Sequence, residues 1–530
     1  MSVLNVAVVG AGPAGIYAAD ILSKSGRDVK IDIFERLPAP YGLVRYGVAP
    51  DHPRIKQIIN ALYGIIAKGE VHLIGNIEVG KDVTIEQLRE HYDAVIIATG
   101  SDLDAPLKIP GVDLEGCYGA ADFVAWYDGH PDYPREWNIE GEHVAVLGVG
   151  NVGLDVARIL AKHVDDLMVT EIPANVEEVL RRKTVTDVHV FGRRGPAQVK
   201  FTPLELRELG HVPGVDVVVR EEDMEFDEGS QAAIASSKQT KMVVKTLTDY
   251  AMVEPEERTA PRRIHIHLFE SPVEVLGEDG RVVGLRTERT RLTGDGNVEG
   301  TGEMTDWPVS QVYRAIGYFS SPVEGVPYDA KRGLVPNMGG RVVESPAEGA
   351  QNVAGLYATG WIKRGPVGLI GSTKSDAQET IANLLADVDS GVVAGDGVER
   401  GGAATLLPWL EERGVKYTTS DGWITLDEYE RNLGEAAGRE RVKVVSREAM
   451  TASSRGVVWA GPLLSPPPPA SVLAPHPLGG GPKRLSGGLR ARQGAIATVR
   501  TACVPPWARQ LAQPAARGGG GRQRRPPKAR

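Results

Sequence analysis

Cysteine is nearly absent. Cys117 and Cys503 are the only two in a chain of 530 residues, which excludes a disulfide framework, a CxxC redox pair and an iron–sulfur cluster held by the chain's own thiolates. Any redox chemistry must therefore be borrowed from a cofactor, and a cytoplasmic setting is expected. Long apolar runs are missing too. No stretch approaches the roughly 18 apolar residues of a membrane span, so no membrane contact is expected. The first strand, "VLNVAVVG", begins near residue 3 and leaves no room for a targeting peptide. Acid is missing from one region only: residues 451–530 hold 13 Lys and Arg and no Asp or Glu, leaving 47 basic against 69 acidic residues in the remainder, a formal charge of −22. That tail, with "SPPPPA" and "RGGGGRQRRPPKAR", has no helical or strand period and is expected to be disordered. It reads as a dispensable extension in preference to an arm for acidic partners, and no nucleic-acid partner is expected.

What the body has is a recurring β-α-β pattern, in which short Val/Ile runs end in Gly-rich turns and lead into Ala/Leu-rich helices. In "VAVVGAGPAGIYAADILSKSGRDVKIDIFER", Gly10, Gly12 and Gly15 stand in GxGxxG spacing between a strand and a helix, and a second strand ends at Glu35. Such glycines let backbone approach a pyrophosphate at a helix N-terminus, and the acid accepts from a ribose diol. A second unit, "HVAVLGVGNVGLDVARIL", places Gly148, Gly150 and Gly153 in the same order, but the strand after it runs into Arg193 and Arg194 in "HVFGRRGPAQ". Guanidinium groups cannot accept from a 2′-hydroxyl. They bind a 2′-phosphate through charged, partly bidentate hydrogen bonds. The pair therefore points to NADP(H), with an insertion assumed between Gly153 and Arg193. Two nucleotides with opposite ribose chemistry suggest a flavoprotein, with FAD on the first unit and NADPH on the second. "YDAVIIATG" and "GLYATGW" add two strands that end in Ala-Thr-Gly.

Longer stretches are more specific: "YGLVRYGVAPDHPRIK", "GNVGLDVARIL", "GRRGP" with "FTPLELRELG", and "GWIKRGPVGLIGSTKSDAQET". Through them the chain resembles, over about residues 3–449, the adrenodoxin-reductase-type ferredoxin–NADP+ reductases, most closely their bacterial members. The resemblance implies an α/β fold of two Rossmann-like dinucleotide-binding domains, the NADP domain inserted into the FAD domain. It sets an FAD-binding domain at 1–106 and 320–450, an NADP-binding domain at 107–319, and the tail at 451–530. It places FAD at Ala14, Glu35, Leu43, Val79, Trp361 and the segment Gly368, Leu369 and Ile370. NADP falls at Gly150, Asn151, Val152, Gly153, Arg193, Arg194 and Glu205, with Gly368 near both. His52, held in a loop between Pro50 and Pro53, and Glu208, one helical step from Glu205, are implied at the contact of flavin and nicotinamide, with catalytic roles. No metal is expected.

The implied activity carries electrons from NADPH through FAD to a ferredoxin-type iron–sulfur protein, in a chain expected to work as a monomer. A flavin-dependent monooxygenase, the electron-input subunit of a larger complex and a non-catalytic nucleotide-binding scaffold are the alternatives. A disulfide reductase is disfavoured by the missing cysteines. Lys200, Arg207, Arg262 and Arg263 are candidates for a positive lip that docks an acidic ferredoxin.

Overall fold

Leu4–Val9 is buried along its whole length in the computed structural model, as a strand covered on both faces should be. Alternation decides which side chain enters which core: Val6 and Val8 pack with Leu22 and Leu384, while Ala7 and Val9 pack with Leu88 and Leu406 on the opposite face. The structure describes residues 3–368 and 370–457, and all of these fall in one compact unit.

Eight strands form the first sheet, in the order Asn337–Met338, Arg341–Val343, Asn352–Ala358, Ala94–Ile97, Leu4–Val9, Val29–Glu35, His72–Gly75 and Thr418–Thr419. Its centre is parallel, with Leu4–Val9 between Val29–Glu35 and Ala94–Ile97. Strand order reverses there, which opens a crevice at the carboxyl ends of the strands. A second sheet of six parallel strands runs Cys117–Gly119, Gln311–Arg314, His143–Leu147, Asp187–Gly192, Arg262–Leu268 and Val215–Val219. It is built from chain lying between the two parts of the first sheet. The two crossings pair with each other, Leu103–Asp104 antiparallel to Tyr318–Phe319. A three-stranded antiparallel sheet, Glu270–Glu278, Arg281–Leu292 and Val298–Trp307, covers one face of the second sheet through Val275, Leu285 and Phe191.

Buried charge ties the segments around both sheets together. Glu171 receives Lys56 and Lys443, the latter at 2.8 Å, and Lys443 Nζ also donates to the carbonyls of Arg45 and Asp128, both at 2.9 Å. Arg45 pairs with Glu430 at 2.6 Å, and Arg441 bridges Asp427 and Glu430. Such groups hold their partners firmly because removing one leaves another buried and uncompensated.

A helix spans residue 451, where the tail is expected to begin. Arg447–Ser453 is a helix capped by the Ser446 hydroxyl, and its Ala449 and Met450 are buried in the core. Composition changes at 451, but apolar contacts made one turn earlier keep the next residues ordered with the body. The rest of the expected tail, 458–530, lies outside the described residues.

Candidate functional site

The two glycine turns are built alike. Gly10 and Gly148 have φ of +109° and +132°, and a Cβ on either would lie 2.5 Å from the Ala98 carbonyl oxygen or 2.1 Å from that of Ala315. Only glycine turns the chain there. Gly15 and Gly153 press against the carbonyl oxygens of Gly10 and Gly148, where a Cβ would stand at 2.0 and 2.3 Å. They let each helix pack closely on its own turn. Gly12 and Gly150 are different: each is the N-cap of its helix, Pro13–Ser23 and Asn151–Ala161, each lacks a side-chain capping bond, and a Cβ on either meets nothing within 4 Å. Two helix N-termini thus open onto free space, each a ready site for a pyrophosphate.

The first opens into a cavity of about 600 Å³. Gly10, Gly12, Ala14, Glu35, Leu43, Val79 and Trp361 line it, while Gly15 packs against the Gly10 carbonyl. Glu35 stands at its strand end, its Oε2 accepting from Ala11 N at 2.8 Å and its Oε1 from Leu37 N at 3.2 Å. Desolvation raises its pKa and these two N–H groups oppose the rise. A carboxylate so aimed retains lone pairs for a ribose diol. Val152, from the second turn, lines the same cavity. The two turns therefore face one space.

Asn151 ties the second turn to the segment after the arginines: its Oδ1 accepts from Thr202 N at 2.8 Å, and the Val149 carbonyl accepts from Lys200 N at 2.8 Å. The long interval before the arginines is filled by an extra helix, Ala174–Arg182, ahead of the strand Asp187–Gly192. Arg193 and Arg194 come directly after that strand with their backbone pinned, Arg193 O by the Thr290 hydroxyl at 2.8 Å. Arg193 is exposed and Arg194 half-buried, and among the described residues no carboxylate pairs with either guanidinium. Gly368 is exposed and left-handed at φ +87°. Leu369 lies outside the described residues, as does the side chain of Ile370, whose backbone opens the helix Ile370–Asp389.

His52 N-caps the short helix Pro53–Lys56 and is buried among carboxylates from two other helices. Its Nε2 is 2.8 Å from Asp155 Oδ1 and 3.0 Å from Glu205 Oε2, and its Nδ1 is 3.2 Å from Glu208 Oε2. The structure thus brings His52 and Glu208 together and adds Glu205 to them. Asp155 and Arg158 complete the cluster. Both sit in "GNVGLDVARIL", one helical turn apart, and that i, i+3 acid–base spacing was the available signal. Arg158 contacts Asp155 at 2.9 Å, grips Asp51 through two bonds of 2.9 and 2.8 Å, and sets its Nη2 2.7 Å from His52 Nε2. Its guanidinium already supplies the positive charge that a metal ion would bring to His52, Glu205 and Glu208. Burial by itself would depress His52, but hydrogen bonding to Asp155 and Glu205 outweighs it and pushes the pKa up to about 10, against the repulsion of Arg158.

That shift has a sign for stability. A histidine whose folded pKa exceeds its unfolded value of about 6.5 stabilises fully below that value, and the contribution is lost as pH rises toward about 10. The difference in thermal midpoint between the parent protein and His52→Gln is expected to shrink steadily from pH 6.5 to 10. A constant difference across that window contradicts a charged His52.

Of the four basic candidates, Arg262 and Arg263 open the strand Arg262–Leu268, with Arg262 in register with Val215, and Arg207 lies on the helix Pro203–Leu209 that leads back toward Val215. Lys200 sits beside the second glycine turn, its N–H donating to the Val149 carbonyl. Cys117, the one cysteine among the described residues, is half-buried, and burial raises its thiol pKa. Cys117→Ser is expected to leave NADPH oxidation unchanged, and a large loss would reopen thiol chemistry.

Known proteins resemble this chain in sequence and in fold. The pyridine nucleotide-disulphide oxidoreductase family matches residues 4–190. NADPH-ferredoxin reductase FprA of Mycobacterium tuberculosis (strain H37Rv) is 40% identical over 456 residues, 83% of this chain and 97% of the relative. The mitochondrial NADPH:adrenodoxin oxidoreductase of Arabidopsis thaliana is 37% identical over 463 residues, 85% of this chain and 95% of the relative. Among solved structures, M. tuberculosis FprA in complex with NADPH aligns with a TM-score of 0.79 at 39% identity, covering 86% of this chain and all of that one.

Proposed function

Since this chain belongs to the NADPH-dependent ferredoxin and adrenodoxin reductases, we propose that it is an FAD-dependent oxidoreductase that takes electrons from NADPH and passes them to a ferredoxin-type iron–sulfur protein. One observation carries the reading: Val152 of the second glycine turn lines the cavity of the first, so two dinucleotides bound at these helix ends share one wall. When bound, NADPH supplies a hydride that the flavin accepts and releases as single electrons. The protein's part is position and charge.

Gly12 offers its open helix end to the FAD diphosphate, Glu35 accepts from the adenosine ribose, and Ala14, Leu43, Val79 and Trp361 close the walls. Gly150, Asn151, Val152 and Gly153 form the NADP turn, and Arg193 and Arg194 take its 2′-phosphate. Glu205, its Oε2 3.0 Å from His52 Nε2, stands beside the coenzyme turn. His52, positively charged at neutral pH, keeps its Nε2 proton directed at Asp155 and, with Glu208 at Nδ1, orients the nicotinamide at the meeting of the two turns. Residues 107–319 serve as the NADP domain, with 1–106 and 320–450 as the FAD domain. Support comes from the paired crossings Leu103–Asp104 and Tyr318–Phe319.

Among the described residues no helix is long and apolar enough to cross a membrane. A cytoplasmic monomer without nucleic-acid or membrane partners accords with the scarce cysteines and the −22 charge of the body. The test is anaerobic: protein holding one FAD per chain should bleach on addition of NADPH and recover colour when oxidised ferredoxin is then supplied. A colourless protein that takes up no FAD contradicts the assignment.

A further inference from the structure

Three histidines outside the nucleotide sites converge on the face of the second sheet that packs against Trp307 of the antiparallel sheet. His189 stands opposite His265 in parallel register, and His267 comes after His265 on the same face by the two-residue alternation of a strand. A ring nitrogen from each can be chosen so that all three lie within 4.8 Å of one another. His189 Nδ1 and His267 Nε2 are already 3.0 Å apart, close to the roughly 3.3 Å between two nitrogens of a tetrahedral zinc site.

The surrounding bonds point the same way. His265 directs Nε2 at the Asp187 carboxylate, 2.8 Å away, which leaves Nδ1 as its lone pair. Asp187 is itself held by the Thr186 hydroxyl at 2.8 Å. A carboxylate behind an imidazole is the usual support of a metal-binding histidine, because it fixes the tautomer and strengthens the other nitrogen as a donor. His189 has the same kind of support, its Nε2 lying 3.1 Å from Nδ1 of the exposed His143. His267 is buried to 5% exposure, and its Nδ1 has no hydrogen-bond partner. His189 and His265 are only partly covered, so an ion can enter from solvent.

We propose that His189, His265 and His267 form a binding site for a borderline divalent transition metal such as Zn2+, with Asp187 and His143 supporting the ligands from behind. Imidazole nitrogens suit Zn2+, Cu2+ and Ni2+ and disfavour Mg2+ and Ca2+, which require oxygen. The three rings lie nearly parallel, with interplanar angles of 11°, 14° and 3°, so binding requires the His189 and His267 rings to turn about χ2 and exchange their mutual hydrogen bond for two metal bonds, with water in the fourth position. The site lies apart from His52 and its carboxylates, and it makes no use of the flavin.

The test is calorimetric titration of tag-free, FAD-loaded protein with ZnCl2 after removal of trace metal, on the parent chain, His265→Ala, Asp187→Asn and His52→Gln. Flavin absorbance shows that each variant is folded. Expected are one Zn2+ per chain, binding weakened about tenfold or more in His265→Ala and in Asp187→Asn, and binding unchanged in His52→Gln. Should His265→Ala lose its flavin, Asp187→Asn carries the decision. No saturable binding by the parent chain, equal affinity in the parent and both sheet variants, or loss confined to His52→Gln would each overturn the site.

Discussion

Replacing Arg193 and Arg194 together by alanine is expected to lower the preference for NADPH over NADH, as the ratio of kcat/KM values, by about 10²-fold or more. Each charged hydrogen bond to a phosphate contributes about 1.5–3 kcal/mol, and a factor of 10² needs only about 2.7 kcal/mol in total. Solvent exposure of Arg193 reduces its share. The half-buried Arg194 and the pinned backbone beneath both keep the pair pre-positioned. Because no carboxylate among the described residues neutralises either guanidinium, their removal should leave folding and flavin content intact. Steady-state kinetics with both coenzymes decide the matter. An unchanged ratio assigns the arginines to something other than the 2′-phosphate.

A comparably large effect, in two separable halves, is expected from the open N-caps. Gly12→Asp adds a side chain where a Cβ meets nothing within 4 Å, at φ −74°, a conformation any residue adopts. Aspartate at an N-cap favours the helix, since its carboxylate accepts the free N–H groups of the first turn. Those are the groups a diphosphate would take, and the new charge also repels it. Stability should hold or rise slightly while FAD affinity falls by about 10²-fold or more. Gly150→Asp, likewise open at φ −112°, should retain FAD and lose NADPH binding by a similar factor. Flavin absorbance per chain and NADPH titration separate the two. Loss of both cofactors in either variant, or of neither, contradicts two independent pyrophosphate sites.

Much of this arrangement is legible in the sequence because parallel, doubly covered strands read as continuous apolar runs that end in glycine turns of fixed spacing. Glu35 and the pair Arg193 and Arg194 are found from their place after the second strand of each unit. Asp155 and Arg158 stand in a stretch with a clear glycine signature and at i, i+3 spacing, but their role depends on a loop a hundred residues away that brings His52 against that helix face. The antiparallel sheet from Glu270 to Trp307 departs from the β-α-β rhythm, and no local glycine pattern announces it. Composition changes at 451, whereas the helix Arg447–Ser453, anchored by Met450, runs through that position.

The central claim is that electrons from NADPH leave this protein one at a time for an iron–sulfur partner. It is tested most directly by NADPH-driven cytochrome c reduction with and without added ferredoxin, over a range of ionic strength. The account predicts a strong rise on adding ferredoxin, and a ferredoxin-dependent increment that falls as salt increases, because docking responds to local charge even on a body of net −22. A rate indifferent to every ferredoxin offered, together with rapid NADPH-dependent oxygenation of a small molecule, would contradict it.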